Sequence, residues 1–280
     1  MFERISWHED RLLLDDLVFY LDQERSTPAD STPDGFFLHK PRRLLDQYVA
    51  LWRQRPGTTH ANMLELGIFD GGSVAFWFEL LKPDKYVALD NTRRDDVVRL
   101  DEFIASRGLG DRIKTFYDTD QSDCEALRRI VDTEFDGPLD LIIDDASHWY
   151  TQTRASFETL FPLLRPGGLF IIEDWSWACW PNLPPGFARA GTELPRLIHQ
   201  IVDVAGSMER FLVGDPGNPG RMNLQPLIAS VTTYPDLVVV ERGDAPVGDV
   251  SDFDLDKYAT FRPTPAPVER WLAGIRRKMK

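Results

Sequence analysis

The sequence predicts an α/β fold: a doubly wound, Rossmann-like sheet, mostly parallel, with an antiparallel pair at its C-terminal edge and helices ahead of it. Three observations carry this. Short apolar runs alternate with helical periodicity from residue 62 onward. The first run ends in a glycine-rich turn. Later runs end on acids, so carboxylates collect at one edge of the sheet.

In chain order, Leu12, Leu13, Leu17 and Leu21 recur at helical spacing with Asp15, Asp16 and Asp22 between them, and residues 10–24 read as an amphipathic helix. Residues 26–35 are polar and Pro-containing, a loop. A helix follows Pro41, with Leu44, Leu45, Tyr48 and Leu51 on one face. Strands are expected at 63–67, 86–90, 112–117, 139–144 and 168–174, with helices at about 72–81, up to 107, at 122–134 and at 152–164, the last stopped by Arg165-Pro166-Gly167-Gly168. Residues 175–191, rich in Trp, Pro and Gly, read as a long loop over one end of the sheet, and helix returns at 193–205. Two runs at 227–234 and 237–241, joined by Pro235-Asp236, form the antiparallel pair. Residues 243–268 are rich in Pro and Asp, and a short basic helix closes the chain. The organisation follows as an N-terminal helical segment (1–58), a main domain (59–243) and a C-terminal loop and helix packed on it (244–280).

With 280 residues and 42% hydrophobic side chains, the chain can bury a large core without staples. A net charge of −13 argues against a nucleic-acid or anionic-membrane surface. Two cysteines, Cys124 and Cys179, make no disulfide framework, and no run approaches the ~18 apolar residues of a membrane span. Acids interrupt the apolar N-terminal run, so a signal peptide is not expected. A cytoplasmic protein is expected, acting on a small molecule as a homo-oligomer.

The turn reads Glu65-Leu66-Gly67-Ile68-Phe69-Asp70-Gly71-Gly72-Ser73. A dinucleotide fingerprint needs G-x-G-x-x-G, and Phe69 occupies its second glycine position. The pattern E-x-G-x-x-x-G-G-S instead resembles the first motif of class I S-adenosylmethionine (SAM) methyltransferases, which implies SAM contacts at Glu65, Gly67, Gly71 and Ser73. Asp90 ends the second strand, where a carboxylate can accept the ribose hydroxyls of a nucleoside. Asp120-Gln121 follows the third, where an adenine edge is met.

Asp144-Asp145-Ala146-Ser147-His148 follows the fourth strand and Glu173-Asp174 the fifth. Neighbouring strands lie about 4.8 Å apart, so four carboxylates and a histidine share one region. Such like charges repel unless a cation sits among them, and oxygen-rich donors suit Mg²⁺ or Mn²⁺ better than zinc. His148 is the candidate general base. His8, His60 and His199 read as structural; His39 is a weaker candidate for reaching the acceptor.

Residues 142–175, with I-D-D-A-S-H, F-E-T-L-F-P and R-P-G-G-L-F-I-I-E-D, together with DGFFLHK and LELGIFDGGS, resemble the metal-dependent sugar O-methyltransferases of macrolide pathways. Ala146 stands where that family more often has glycine. The resemblance implies that Asp145, Glu173 and Asp174 bind Mg²⁺, that His148 is the base, that Asp144 lies against the amino-acid end of SAM, and that the acceptor is a saccharide or glycosylated small molecule. Trp175, Trp177 and Trp180 either stack on a sugar or pack as a lid. Two other readings are a catechol-type enzyme acting on an aromatic diol and a non-catalytic SAM-binding oligomer. A non-haem iron hydroxylase fits poorly, because it needs two histidines at the cluster.

Overall fold

The computed structural model describes residues 2–8, 11–21, 35–94, 97–177, 193–207, 212–215 and 218–259. Its centre is a seven-stranded sheet of β5 (Asn62–Leu66), β6 (Lys85–Leu89), β7 (Ile113–Phe116), β8 (Leu139–Asp144), β9 (Leu164–Glu173), β12 (Ile228–Thr233) and β13 (Leu237–Arg242). The order is β12-β13-β9-β8-β5-β6-β7. Strands β5 to β9 run parallel, whereas β13 pairs antiparallel with both β9 and β12. This is the doubly wound sheet with an antiparallel edge that the alternation predicts.

Both faces are covered, so the central strands are apolar throughout rather than alternating. On one face lie α1 (Arg42–Arg53), α2 (Gly72–Leu81) and α3 (Val98–Ser106), packed on Met63, Tyr86, Leu141 and Ile171. On the other lie α4 (Cys124–Glu134), α5 (Tyr150–Leu160), α6 (Leu194–Gly206) and the short α7 (Leu255–Tyr258), packed on Leu64, Val87, Ile142 and Phe170. Successive strand residues thus feed opposite cores, as the two-residue period requires. No described helix is long and apolar enough to cross a membrane.

The N-terminal helix expected over 10–24 is not formed. Residues 11–20 make a hairpin, β2 (Arg11–Leu14) and β3 (Leu17–Tyr20), turned at Asp15-Asp16 with Asp15 left-handed (φ 54°). With β1 (Ile5–Trp7) and β4 (Phe36–Phe37) it builds a second, four-stranded sheet. The leucines fit either period, but Val18, Phe19 and Tyr20 favour strand, and Leu12, Leu14 and Phe19 bury completely in the first core. A further hairpin, β10 (Leu212–Asp215) with β11 (Asn218–Leu224), lies in a stretch to which the sequence assigned no element. The terminal basic helix, Cys179 and Trp180 fall outside the described residues.

Candidate active site

The glycine turn closes at the carboxyl end of β5. Gly67 has φ 97°, and a Cβ there would stand 2.2 Å from the Asp145 carbonyl oxygen, so only glycine lets the β5 and β8 loops approach. A Cβ on Gly72 would meet the Phe37 carbonyl oxygen at 1.7 Å, which fits β4 against the start of α2.

Two adjoining hollows flank this turn. The larger, about 280 Å³, is lined by Gly67, Asp90, Asp120, Gln121, Ala146 and Ser147 among others. The smaller, about 40 Å³, is lined by His39, Lys40, Gly67, Asp70, Ser73 and Asp145. Asp90 already works on the turn: Oδ2 accepts from the Ile68 and Phe69 amides (2.8 and 3.0 Å) and Oδ1 from the Thr92 amide (3.0 Å). Asp120 accepts from the Ser122 amide and hydroxyl through Oδ1, which holds its pKa below the usual range.

Three of the residues expected at the cofactor do not line either hollow. Gly71 shapes the turn, its N–H donating to the Ile68 carbonyl at 2.8 Å. Glu65 is fully buried beneath it, accepting from the Tyr86 hydroxyl at 2.6 Å; burial pushes it up to about 8. Asp144, expected against the amino-acid end of the cofactor, points into the second core. There it accepts from the Ser156 hydroxyl (2.6 Å) and from Gln121 Nε2 (3.1 and 3.2 Å), and burial pushes it up to about 6. Gln121 in turn accepts the Ser147 amide through Oε1 at 2.8 Å. Asp144 therefore aims the loop that carries His148 rather than touching the hollow itself.

At the tips of β8 and β9 the expected acids and histidine do converge. Ligand atoms of Asp145, His148 and Asp174 all lie within 4.8 Å of one another, with His148 Nε2 3.9 Å from Asp145 Oδ1. Both His148 (φ 56°) and Asp174 (φ 50°) are left-handed, a conformation non-glycine residues hold only where surroundings enforce it. Burial, then the neighbouring Asp145, pushes Asp174 up to about 7. Two carboxylates and an imidazole around one point match the donor chemistry of a divalent cation.

Glu173 departs from the expected ligand set. Its Oε2 accepts from Lys40 Nζ at 2.6 Å and its Oε1 from the Tyr48 hydroxyl at 2.5 Å, so it joins the triad's wall, not the triad. Glu173 turns toward the first core, against Tyr48, while half-buried Asp174 lies against Asp145 and His148. Burial, then Asp145, pushes Glu173 up to about 8. Lys40, itself buried, also donates to Asp145 Oδ2 at 2.7 Å. Burial alone would lower it, but Asp145 and Glu173 hold it above its ordinary range, so it remains an ammonium and no base. Sequence reasoning gave no role to Lys40 or Tyr48: Lys40 closes the DGFFLHK run, but no local pattern points it at the acids of the strand tips, and Tyr48 reads as one more core residue of α1.

Trp175 packs on the second core and donates Nε1–H to the Tyr234 carbonyl at 2.8 Å, a structural role. Trp177 instead lies beside His148, ring centroids 5.8 Å apart. His39 pairs with Asp70 (2.8 Å) and sits edge-on to Phe69, whose ring is 44% exposed at the rim. His60 is buried far away, at the opposite end of the sheet.

Compared with known proteins, residues 64–175 match the methyltransferase domain family. The chain carries a methyltransferase domain. It is 32% identical over 224 residues to mycinamicin VI 2''-O-methyltransferase of Micromonospora griseorubida, covering 76% of this chain and 50% of that protein. It is 30% identical to the 8-demethyl-8-(2-methoxy-alpha-L-rhamnosyl)-tetracenomycin-C 3'-O-methyltransferase of Streptomyces olivaceus, covering 75% and 51%. The solved MycE methyltransferase of the mycinamycin biosynthetic pathway, in complex with Mg and SAH, superposes with a TM-score of 0.50 at 28% identity, over 87% of this chain and 57% of that one. The chain thus spans about half the length of the curated relatives it matches. These relatives bear out the sugar O-methyltransferase resemblance.

Proposed function

We propose that the protein transfers a methyl group from SAM to a sugar hydroxyl of a glycosylated natural product or saccharide intermediate, with a divalent cation, Mg²⁺ or Mn²⁺, at the strand tips. The observation that carries this is the meeting of Asp145, His148 and Asp174 directly beside the glycine turn. The sugar-modifying names of the relatives, and the Mg and SAH held by MycE, point the same way.

In this reading the larger hollow takes the nucleoside of SAM, with Asp90, Asp120 and Gln121 along it. The smaller recess, with Ser73 at its wall, takes the amino-acid end, a role the sequence had given to Asp144. Asp145 and Asp174 would hold the cation, with Glu173 supporting them through Lys40. When bound, the cation lowers the pKa of the acceptor hydroxyl and fixes its direction. His148 takes the hydroxyl proton as the oxygen attacks the methyl carbon in line with the departing sulfur. The C–O bond forms, the C–S bond breaks, and the sulfonium leaves as neutral SAH. Trp177, beside His148, offers an aromatic face to the sugar ring.

The test is an acceptor screen with SAM and Mg²⁺, comparing rhamnosylated and deoxysugar-bearing polyketides, their aglycones and simple catechols. SAH release and the site of methylation are read by mass spectrometry. Methylation of sugars alone, lost in EDTA and restored by Mg²⁺, is expected. Methylation of catechols alone, or full turnover in EDTA, overturns the proposal.

A further inference from the structure

The β12–β13 connection grips the segment that carries Asp174. Three consecutive residues donate to three consecutive carbonyls of one turn: the Asp174 amide to Asp236 (2.7 Å), the Trp175 indole to Tyr234 (2.8 Å) and the Ser176 hydroxyl to Pro235 (3.0 Å). The turn is closed on itself by the Tyr234 amide donating to the Leu237 carbonyl at 2.8 Å. It is also tied to α1. Arg43 donates to both Asp236 oxygens (2.9 and 3.0 Å), Gln47 Nε2 donates to Oδ2 at 2.5 Å, and the Asp236 amide returns a bond to Gln47 Oε1 at 3.1 Å. Arg43 and Gln47 stand four residues apart on one face of that helix. The next residue, Tyr48, holds Glu173.

We propose that Asp236 is a positioning residue: the Tyr234–Asp236 turn, braced on α1, is a clamp that keeps Asp174 aimed at Asp145 and His148. A left-handed non-glycine residue persists only when its surroundings over-determine it. Here three side-by-side hydrogen bonds to a rigidly anchored turn do so. The hydrogen bonds of the buried Asp236 carboxylate go to Arg43 and Gln47 on α1, and its carbonyl holds the Asp174 amide. The inference rests on the cation site proposed above. It adds that outer partners of metal ligands matter nearly as much as the ligands, their loss typically costing ~10–100-fold in affinity.

The experiment measures Mn²⁺ uptake by electron paramagnetic resonance and SAH binding by calorimetry in the full chain and in Asp236→Ala, Asp236→Asn and Arg43→Ala. Expected is a ~10–100-fold loss of Mn²⁺ affinity in Asp236→Ala, with SAH binding within about twofold. Asparagine, which keeps one acceptor oxygen, should recover part of the loss. Arg43 is largely solvent-exposed, so Arg43→Ala carries the test if Asp236→Ala does not fold; a loss of Mn²⁺ affinity selective over SAH is expected there too. Unchanged Mn²⁺ affinity in a folded variant, or equal loss of Mn²⁺ and SAH, overturns the clamp and leaves the cation site standing. A parent protein that takes up no Mn²⁺ overturns both.

Discussion

The two ends of the central sheet handle buried charge in opposite ways. At the amino end, Asp140 is matched: it accepts from the Arg165 guanidinium and, at 2.8 Å, from the Asn62 amide. His60 there is buried and held neutral, pushed down to about 4 chiefly by burial, against the pull of Asp140. At the carboxyl end, Asp145, Glu173 and Asp174 face one buried ammonium, Lys40. One end pairs its acid with a guanidinium; the other carries a surplus of acidic groups over ammonium, and burial, then Asp145, pushes two of them, Glu173 and Asp174, upward. A protein tolerates such a surplus where a cation is to be bound, because removing the repulsion is what makes the site take one.

The largest expected effect tests whether chemistry is confined to the surplus end. His148→Ala should lower turnover ~10²–10⁴-fold while SAH binding stays within about twofold. His60→Gln should leave turnover nearly unchanged. Comparable turnover losses in both variants would erase the contrast between the ends.

A second pair compares the cations. Lys40→Met strips buried Glu173 and half-buried Asp145 of their partner and should cost about 3–5 kcal/mol in urea unfolding measured in EDTA. Arg165→Met removes a guanidinium whose side chain is 35% exposed and should cost about 1 kcal/mol or less. Equal costs would mean that the amino end is as electrostatically strained as the other.

A third effect is a pH dependence at the amino end. His60 titrates near 4 when folded and near 6.5 when unfolded. Between these values the unfolded chain binds more protons, so stability rises with pH across that window and is lost as pH falls through it. His60→Gln should flatten the slope between pH 6.5 and 4 in urea titrations; an unaltered slope would place the acid sensitivity elsewhere.

Much of this was legible in the residues. Strands such as β8 and β9 read clearly because a parallel strand buried on both faces is a continuous apolar run. The candidate cluster read clearly where it is local, since His148 follows Asp145 by three residues and the tips of adjacent parallel strands must be neighbours. The N-terminal hairpin misled because Leu12, Leu13, Leu17 and Leu21 satisfy a helical period as well as an alternating one. The strand preference of Val18, Phe19 and Tyr20, together with packing in the first core that buries Leu12, Leu14 and Phe19, separates the two.

The amino-acid sequence by itself determined the sheet, the glycine turn and the set of acids and histidine at the strand tips, because all follow from short-range periodicity and chain order. Tertiary structure alone decided how those acids are used. Lys40 reaches Glu173 across 133 residues and Asp145 across 105, and Arg43 reaches Asp236 across 193. Which carboxylate joins Asp145 and His148 and which is held from behind depends on those distant partners, and no local pattern encodes the direction in which a strand tip turns its side chain.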